Sequence, residues 1–433
     1  MRAWGCASVA FGGASLIVPL YIVELGGDAF TLGVLFASAS LVGVPGAILF
    51  GRLADRTGKR RAFVIGAMAT ATIALVAIPM LSSISLVVIA NAVVWLSFAA
   101  ALPILNLLAV TDEPEQRWSA VIARLNTFQG IGWTLGLAVG FLIIVGSAPF
   151  DTPLTSHRLV FLAYALSAGV GLVLGVRWLP SDPTLMHEPA PSRLRRAVQR
   201  AGRRNVRGAA FPITPLRFDP RSLHPSRLVR RLSPALSIFF GAAFIFFVGF
   251  GIFFAPLPAF LTRIGHTPGT IFGLYVILNV TAAAFFGHAA AAVARYSEVD
   301  VHLTGLWIRG IAFPLVPITA ILLGSSLIAW GTTIALFALI GVTWALIAVT
   351  ATTLVTRLAP AIIQGESLGF YGAIAAFGGG VGGMIGGVLA TVSYTAAFLL
   401  SGAMVIMAGG MIHWSTRDSV GAIETGDPLP GSV

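Results

Sequence analysis

Proton transfer, ion pairing and anion recognition all need ionisable side chains, and this chain uses them sparingly: 433 residues include 16 Asp and Glu, 27 Lys and Arg, and 7 His. All 16 carboxylates fall outside the long apolar stretches. An ionisable group inside a membrane is a functional candidate by default, so the groups at the edges of those stretches matter most: Glu24, Asp55, Glu366 and His288. Glu24 is the candidate proton site, with an exposed loop carboxylate as the alternative reading. Arg124 and Arg309 fall within apolar stretches, about two turns from an edge. Snorkelling of the guanidinium to the interface is the expected role, and anion binding is the alternative. There is no nucleophile-base spacing, no phosphate loop and no metal-ligand cluster, so neither an enzyme, a metal nor a cofactor is expected. Cys6 stands alone and is read as an apolar packing residue.

The elements that must position these groups follow from composition. Hydrophobic residues make up 57% of the chain and charged residues 10%, against roughly 25% charged in soluble domains. Crossing a hydrocarbon layer of ~30 Å takes about 20 apolar residues in a helix that satisfies its own backbone. That length predicts twelve spans, at 4–23, 30–50, 62–82, 84–108, 119–146, 159–179, 234–261, 269–293, 303–324, 326–356, 367–390 and 394–414. The first is not a secretory signal, because its apolar run reaches Val23 without a small-residue cleavage pattern. The fold class is an all-α membrane protein of twelve transmembrane helices in two six-helix bundles.

Residues 1–179 form the expected N-terminal bundle and 234–414 the C-terminal one, with a linker at 180–233 and a tail at 415–433. The linker carries twelve Arg, as in PSRLRRAVQRAGRRNVRG (191–208). Leu194, Ala197, Val198 and Ala201 share one helical face within it, which suits a surface helix on anionic lipid; a disordered basic tether is the alternative, and nucleic acid is not an expected partner. With the N-terminus in the cytoplasm, 23 of the 27 basic residues fall on cytoplasmic segments. The positive-inside rule then places both termini and the linker there. Twenty-six Arg to one Lys suggests a prokaryotic plasma membrane.

The halves resemble each other. VPLYIVELGG (18–27) aligns without gaps on LPAFLTRIGH (257–266), with Pro19 over Pro258 and Gly26 over Gly265 at an offset of 239. Gly132, Gly136 and Gly140 match Gly378, Gly382 and Gly386 at an offset of 246. Repeats of this length mark carriers built around a central site, and small residues four apart let helices pack closely.

Between spans two and three lies GRLADRTGKRR (51–61), five basic residues and one carboxylate at a membrane edge. Gly51 and Gly58 suit a helix end and a reversal, while Asp55 among Arg52, Arg56 and Lys59 needs a partner. Gly51, Leu53, Ala54, Asp55, Arg56, Gly58, Lys59 and Arg60 resemble the loop motif of the major facilitator superfamily. The resemblance, closest to its twelve-span drug-proton antiporter members, covers about residues 4–414. It implies a conformational latch, in which Asp55 sits against the positive end of the helix starting near Ser367. The second-half counterpart has Ala291 where the Asp would fall.

RLNTFQGIGWTLGLAVG (124–140) is similar to the glycine-rich fifth helix of those antiporters, with Leu137 where their motif has Pro. Stripes of polar and aromatic residues mark a candidate cavity: Asn91, Trp95 and Asn106 on the fourth span; Asn126, Gln129 and Trp133 on the fifth; Tyr275 and Asn279 on the eighth; Phe337 and Trp344 on the tenth. Interhelical hydrogen bonding is the competing role of the Asn and Gln residues. A cavity lined this way is apolar, aromatic and neutral. The expected function is alternating-access transport by a monomer, exporting small hydrophobic or drug-like molecules, with proton exchange implied by the resemblance. An uptake porter and a receptor or scaffold are the alternatives.

Overall fold

The computed structural model describes residues 1–110, 118–147, 153–180, 233–324, 326–359 and 364–425. The side chains of Arg52, Asp55, Arg56 and Glu366, and nearly all of the expected linker, lie outside the described residues. In chain order the helices are α1 Arg2–Glu24, α2 Ala29–Thr57, α3 Arg60–Ala77, α4 Ile84–Val110, α5 Trp118–Ser147, α6 Pro153–Trp178, α7 Pro234–Phe254, α8 Leu257–Arg263, α9 Pro268–Arg295, α10 Glu298–Leu323, α11 Leu327–Leu358, α12 Gln364–Val392 and α13 Tyr394–Thr425. Among the described residues, eleven segments are long and apolar enough to cross a membrane, α7 and α8 counting as one, and α2 contributes the shorter apolar stretch Ala29–Gly43. Leu166, Ile73, Leu322 and Leu327 are all more than two-thirds exposed, which a soluble protein could not tolerate around its whole girth.

Helix starts are fixed by local chemistry. The Asp28 carboxylate accepts from the Thr31 amide at 2.9 Å, and Ser233, Thr267 and Ser326 cap α7, α9 and α11 in the same way. Each cap satisfies a backbone donor that has no partner within its helix. The N-terminal position is one of the few where proline fits a helix, and Pro234 and Pro268 occupy it. Further along, Pro256 divides α7 from α8 within one span.

Several boundaries differ from expectation. Residues Gly51–Thr57 continue α2, so Gly51 lies within a helix, and only Gly58 and Lys59 make the reversal. Gly58 ends α2 at φ +69°, the left-handed cap that glycine adopts without strain. At the other end, α13 runs on to Thr425 past the expected tail boundary at 415. In both places the hydropathy falls while helix-forming residues continue, and hydropathy alone does not stop a helix. Finally, α10 begins at Glu298, five residues before the expected span.

The repeat is reproduced bond by bond. In the α1–α2 turn, the amides of Leu25, Gly26 and Gly27 donate to the carbonyls of Tyr21, Val23 and Ile22. Ile264, Gly265 and His266 donate to Phe260, Thr262 and Leu261 in the same pattern. Gly26 and Gly265 have φ of 88° and 91°. Asp28 capping through Thr31 and Thr267 capping through Thr270 also differ by 239 in number. The glycine contacts obey the same register: a Cβ on Gly136 would collide with Val9 O, and one on Gly382 with Val248 O, again 239 apart. Helices α5 and α12 thus cross α1 and α7 in equivalent ways.

Between bundles, α2 packs on α12 and α5 on α9. The membrane face reached by Glu24 is here called the Glu24 face, and the opposite one the Met1 face. Near the Glu24 face the bundles touch backbone to backbone. A Cβ on Gly33 would lie 2.7 Å from Gly383 O and 2.9 Å from Gly387 Cα, and one on Gly269 would lie 3.1 Å from Val145. Toward the Met1 face, Cβ atoms on Gly51, Gly130, Gly287 and Gly372 of the same four helices meet nothing within 4 Å.

Candidate functional site

Two aromatic walls are assembled from the expected stripes. In the N-terminal bundle, Trp95 of α4 lies 5.8 Å from Phe98 and 6.0 Å from Trp133 of α5, and Phe98 lies 5.5 Å from Trp4 of α1. Gln129 turns to α1, where its Oε1 accepts from Trp4 Nε1 at 3.0 Å. Asn91 is buried, Asn126 is exposed, and the buried Asn106 Oδ1 has no acceptor role filled by a described protein donor.

The C-terminal wall links α7, α9 and α11. Phe250 lies 4.4 Å from Phe254 and 5.7 Å from Trp344; Tyr275 lies 6.4 Å from Phe254 and 6.0 Å from Phe337. Phe337 is fully buried, so it backs this wall and offers no open surface. Asn279 spends its amide on its own helix, donating to the Tyr275 carbonyl at 2.9 Å.

The six repeat glycines sit where helices cross. Cβ atoms on Gly132 and Gly136 would strike Gly5, Ser8, Val9 and Gly13 of α1, and one on Gly140 would strike Tyr164 and Phe272. Those on Gly378, Gly382 and Gly386 would strike Phe244, Val248 and Ile252 of α7. The Tyr164 hydroxyl donates to Gly136 O at 2.8 Å, tying α6 to the α1–α5 crossing.

Glu24 is not a free loop carboxylate. Its Oε2 meets Nδ1 of His157, which is 2% exposed at the start of α6, while the Glu24 side chain is 23% exposed. Tyr21 stands edge-on to His157 at 6.4 Å and donates to Leu81 O at 2.9 Å. Sequence reasoning missed His157 because the sixth span was drawn from 159; the helix starts at Pro153 and carries His157 inward. By contrast His288 is exposed.

Arg309 overturns the snorkelling expectation. It is 1% exposed, and its eleven residues beyond Glu298 correspond to about 16 Å along α10 at ~1.5 Å per residue. It turns sideways into α11: Nε donates to Thr343 Oγ1 at 3.1 Å and Nη2 to Ile340 O. One heptad earlier on α10, and one later on α11, His302 Nδ1 pairs with Thr350 Oγ1 at 2.7 Å. At the Met1 end Glu298 pairs with Arg357. The seam is therefore polar at three levels, and the C-terminal bundle is not neutral. Arg124, by contrast, is exposed.

In the reversal after α2 Lys59 is exposed, and at the start of α3 Arg61 donates to Val176 O of α6. Among the described residues no group of three His, Cys, Asp or Glu converges as metal ligands would.

The family model described as Major Facilitator Superfamily matches residues 3–372. The chain belongs to that superfamily. Solved structures with the same fold include a D-xylose-proton symporter, 16% identical with a TM-score of 0.70 and 95% of each chain covered. A nucleoside transporter, NupG, is 12% identical with a TM-score of 0.68, covering 95% of this chain and 96% of its own. The xylose transporter XylE from E. coli, in a partially occluded inward-open conformation, is 13% identical with a TM-score of 0.66, covering 95% and 96%. At such identities the likeness speaks for the fold. No curated sequence matches the chain significantly. The protein is thus a multi-pass membrane member of a transporter superfamily, folded as two pseudo-symmetric six-helix bundles.

Proposed function

We propose that this protein exports small hydrophobic or drug-like molecules across a prokaryotic plasma membrane in exchange for protons, working by alternating access. The observation that carries the substrate class is the pair of aromatic walls, Trp95, Phe98 and Trp133 in one bundle and Phe250, Phe254, Tyr275 and Trp344 in the other. Apolar aromatic surfaces with few polar groups suit apolar ligands. The basic residues favour both termini and the Met1 face in the cytoplasm. On that assignment the close contact of Gly33 with Gly387 on the external side, and the open space beside Gly51, Gly130, Gly287 and Gly372 on the inner side, support an inward-facing state from which a cytoplasmic substrate would load.

Glu24 and His157 are the proposed proton-exchanging pair, since two titratable groups in contact at one mouth can trade a proton for an ion pair as that mouth opens. Asp55 is the proposed latch of the opposite state, closing against the start of α12. The named residues at 51–60, the six repeat glycines and the domain limits 1–179 and 234–414 enter this reading as working parts of the two rocking bundles.

The test is accumulation of lipophilic dyes in cells stripped of their own pumps, with the proton gradient intact and then collapsed. The reading expects lowered accumulation that vanishes when the gradient does, and vanishes equally in Glu24→Gln. Unchanged accumulation in cells shown to hold the protein in the membrane would reject export.

A further inference from the structure

Arg309 is a buried cation with no counter-ion among the described residues. Two of its nitrogens are used by Thr343 and Ile340, and the buried Nη1 has no protein acceptor among the described residues. Its guanidinium faces the rings of Phe313 and Trp344, 5.6 and 5.4 Å from their centroids. A hydroxyl, a carbonyl and two ring faces are neutral partners. Burying a charge costs several kcal/mol unless an opposite charge offsets it. The C-terminal bundle supplies none at this depth: residues 233–297, 301–365 and 367–417 contain no Asp or Glu. The nearest carboxylate along α10, Asp300, is nine residues away, about 13 Å at ~1.5 Å per residue.

The surrounding elements are equally without negative charge. Helix α11 presents Thr343, Trp344 and the Ile340 carbonyl. On α7, Phe253 stacks on Phe313 at 4.0 Å, and α13 approaches Gly310 through Gly402 and Ile406. The N-terminal bundle has no equivalent, for residues 62–111 contain no ionisable side chain at all.

One side chain of the aromatic wall, Trp344, is also in contact with this cation. Trp344 is half-buried, and its ring lies 5.4 Å from the Arg309 guanidinium and 5.7 Å from the ring of Phe250. For Nη1 to meet a ligand at the wall, Trp344 must turn aside. We infer that Arg309 is the recognition site for the carboxylate of an aromatic acid, whose ring takes a place against Trp344, Phe250, Phe254 and Tyr275. A carboxylate suits the planar N–H fork of arginine, and one unmet guanidinium edge matches one negative charge. A dianionic phosphate would need a second cation, and among residues 264–356 the only Lys or Arg besides Arg309 is Arg295, at the Met1 end of α9. This inference rests on the transporter reading and narrows its substrates from hydrophobic molecules in general to hydrophobic monoanions.

The experiment measures binding of radiolabelled 2-naphthoate to the purified full-length protein by equilibrium dialysis, beside its isosteres 2-naphthamide and 2-naphthylmethylamine, with a chloride titration alongside. The expected result is at least tenfold tighter binding of the carboxylate than of the amide, the scale of one charge-assisted hydrogen bond. That preference should disappear in Arg309→Gln, weaken in Arg309→Lys and persist in Arg263→Gln, which alters an exposed cation of α8 outside the site. Should Arg309→Gln fail to fold, the carboxylate preference of the wild type and its weakening in Arg309→Lys still decide. Equal binding of all three naphthyl compounds overturns the inference while leaving hydrophobic transport standing. Competition by millimolar chloride that abolishes the preference overturns it in favour of an inorganic anion site. Binding of none of the three overturns it together with the hydrophobic substrate class.

Discussion

Replacing Gly387 or Gly33 by alanine should drive the bundles apart at the Glu24 face. A Cβ on Gly387 would lie 2.8 Å from both Gly33 Cα and Ala29 O, and one on Gly33 would lie 2.9 Å from Gly387 Cα. Carbon atoms settle near 3.5–4.0 Å, so each methyl demands a separation of about 1 Å between two backbones. Neither backbone can turn away as a flexible side chain would. Overpacking of this kind costs about 1–3 kcal/mol, and only the state that closes this face pays it. The equilibrium should therefore move by about 5- to 150-fold toward the state open on the Glu24 face, at 1.4 kcal/mol per tenfold. The two substitutions share one contact, so the double variant should gain less than the product of the singles. Spin labels at Leu159 and Leu327, exposed on that face in opposite bundles, would read the distance by pulsed electron resonance in a Cys6→Ser background. A longer-distance population that grows in Gly387→Ala is expected. An unchanged distance distribution in a folded variant would refute the idea that this crossing sets the state.

Tyr164→Phe removes the hydroxyl that donates to Gly136 O at 2.8 Å and should lower stability by about 1 kcal/mol, seen as a reduced melting temperature with transport retained. Asp28→Ala should cost about 1 kcal/mol through loss of the α2 cap, whereas Asp28→Asn keeps a cap and should cost less. The Thr31 backbone amide holds the Asp28 carboxyl below its ordinary range. Its ionised form therefore contributes stability above the unfolded carboxylate pKa, and that contribution is lost as pH falls through the lowered folded value; melting of wild type and Asp28→Asn should converge there. Asp55→Asn should slow transport several-fold at normal membrane levels, measured as initial dye-efflux rate, and an unaltered rate would remove the latch from the scheme.

Much of the architecture was legible because two simple rules apply over long stretches. Apolar length located the spans, and the offsets of 239 and 246 foretold crossings that recur at Val9 and Val248. Edges were harder to read. Gly51 looked like a helix end because the apolar run stops beside it, yet nothing in LADRT breaks a helix, and the turn waits for Gly58. His157 and Arg309 were undervalued for the same reason, since spans drawn too short put one outside the helix and the other near its end. Which way a side chain turns is also beyond hydropathy: Gln129 faces Trp4, and Arg309 faces Thr343. Those choices depend on a partner helix distant in sequence. Trp4 and Gln129 are 125 residues apart.

The most direct test of the central claim is dye movement in proteoliposomes holding only this protein, with an imposed proton gradient of either sign. Proton-coupled exchange predicts that lipophilic dye moves against the proton flux, reverses when the gradient is inverted and stops when an ionophore abolishes it. Movement indifferent to the gradient's sign, or equal to that of empty liposomes, would contradict the account.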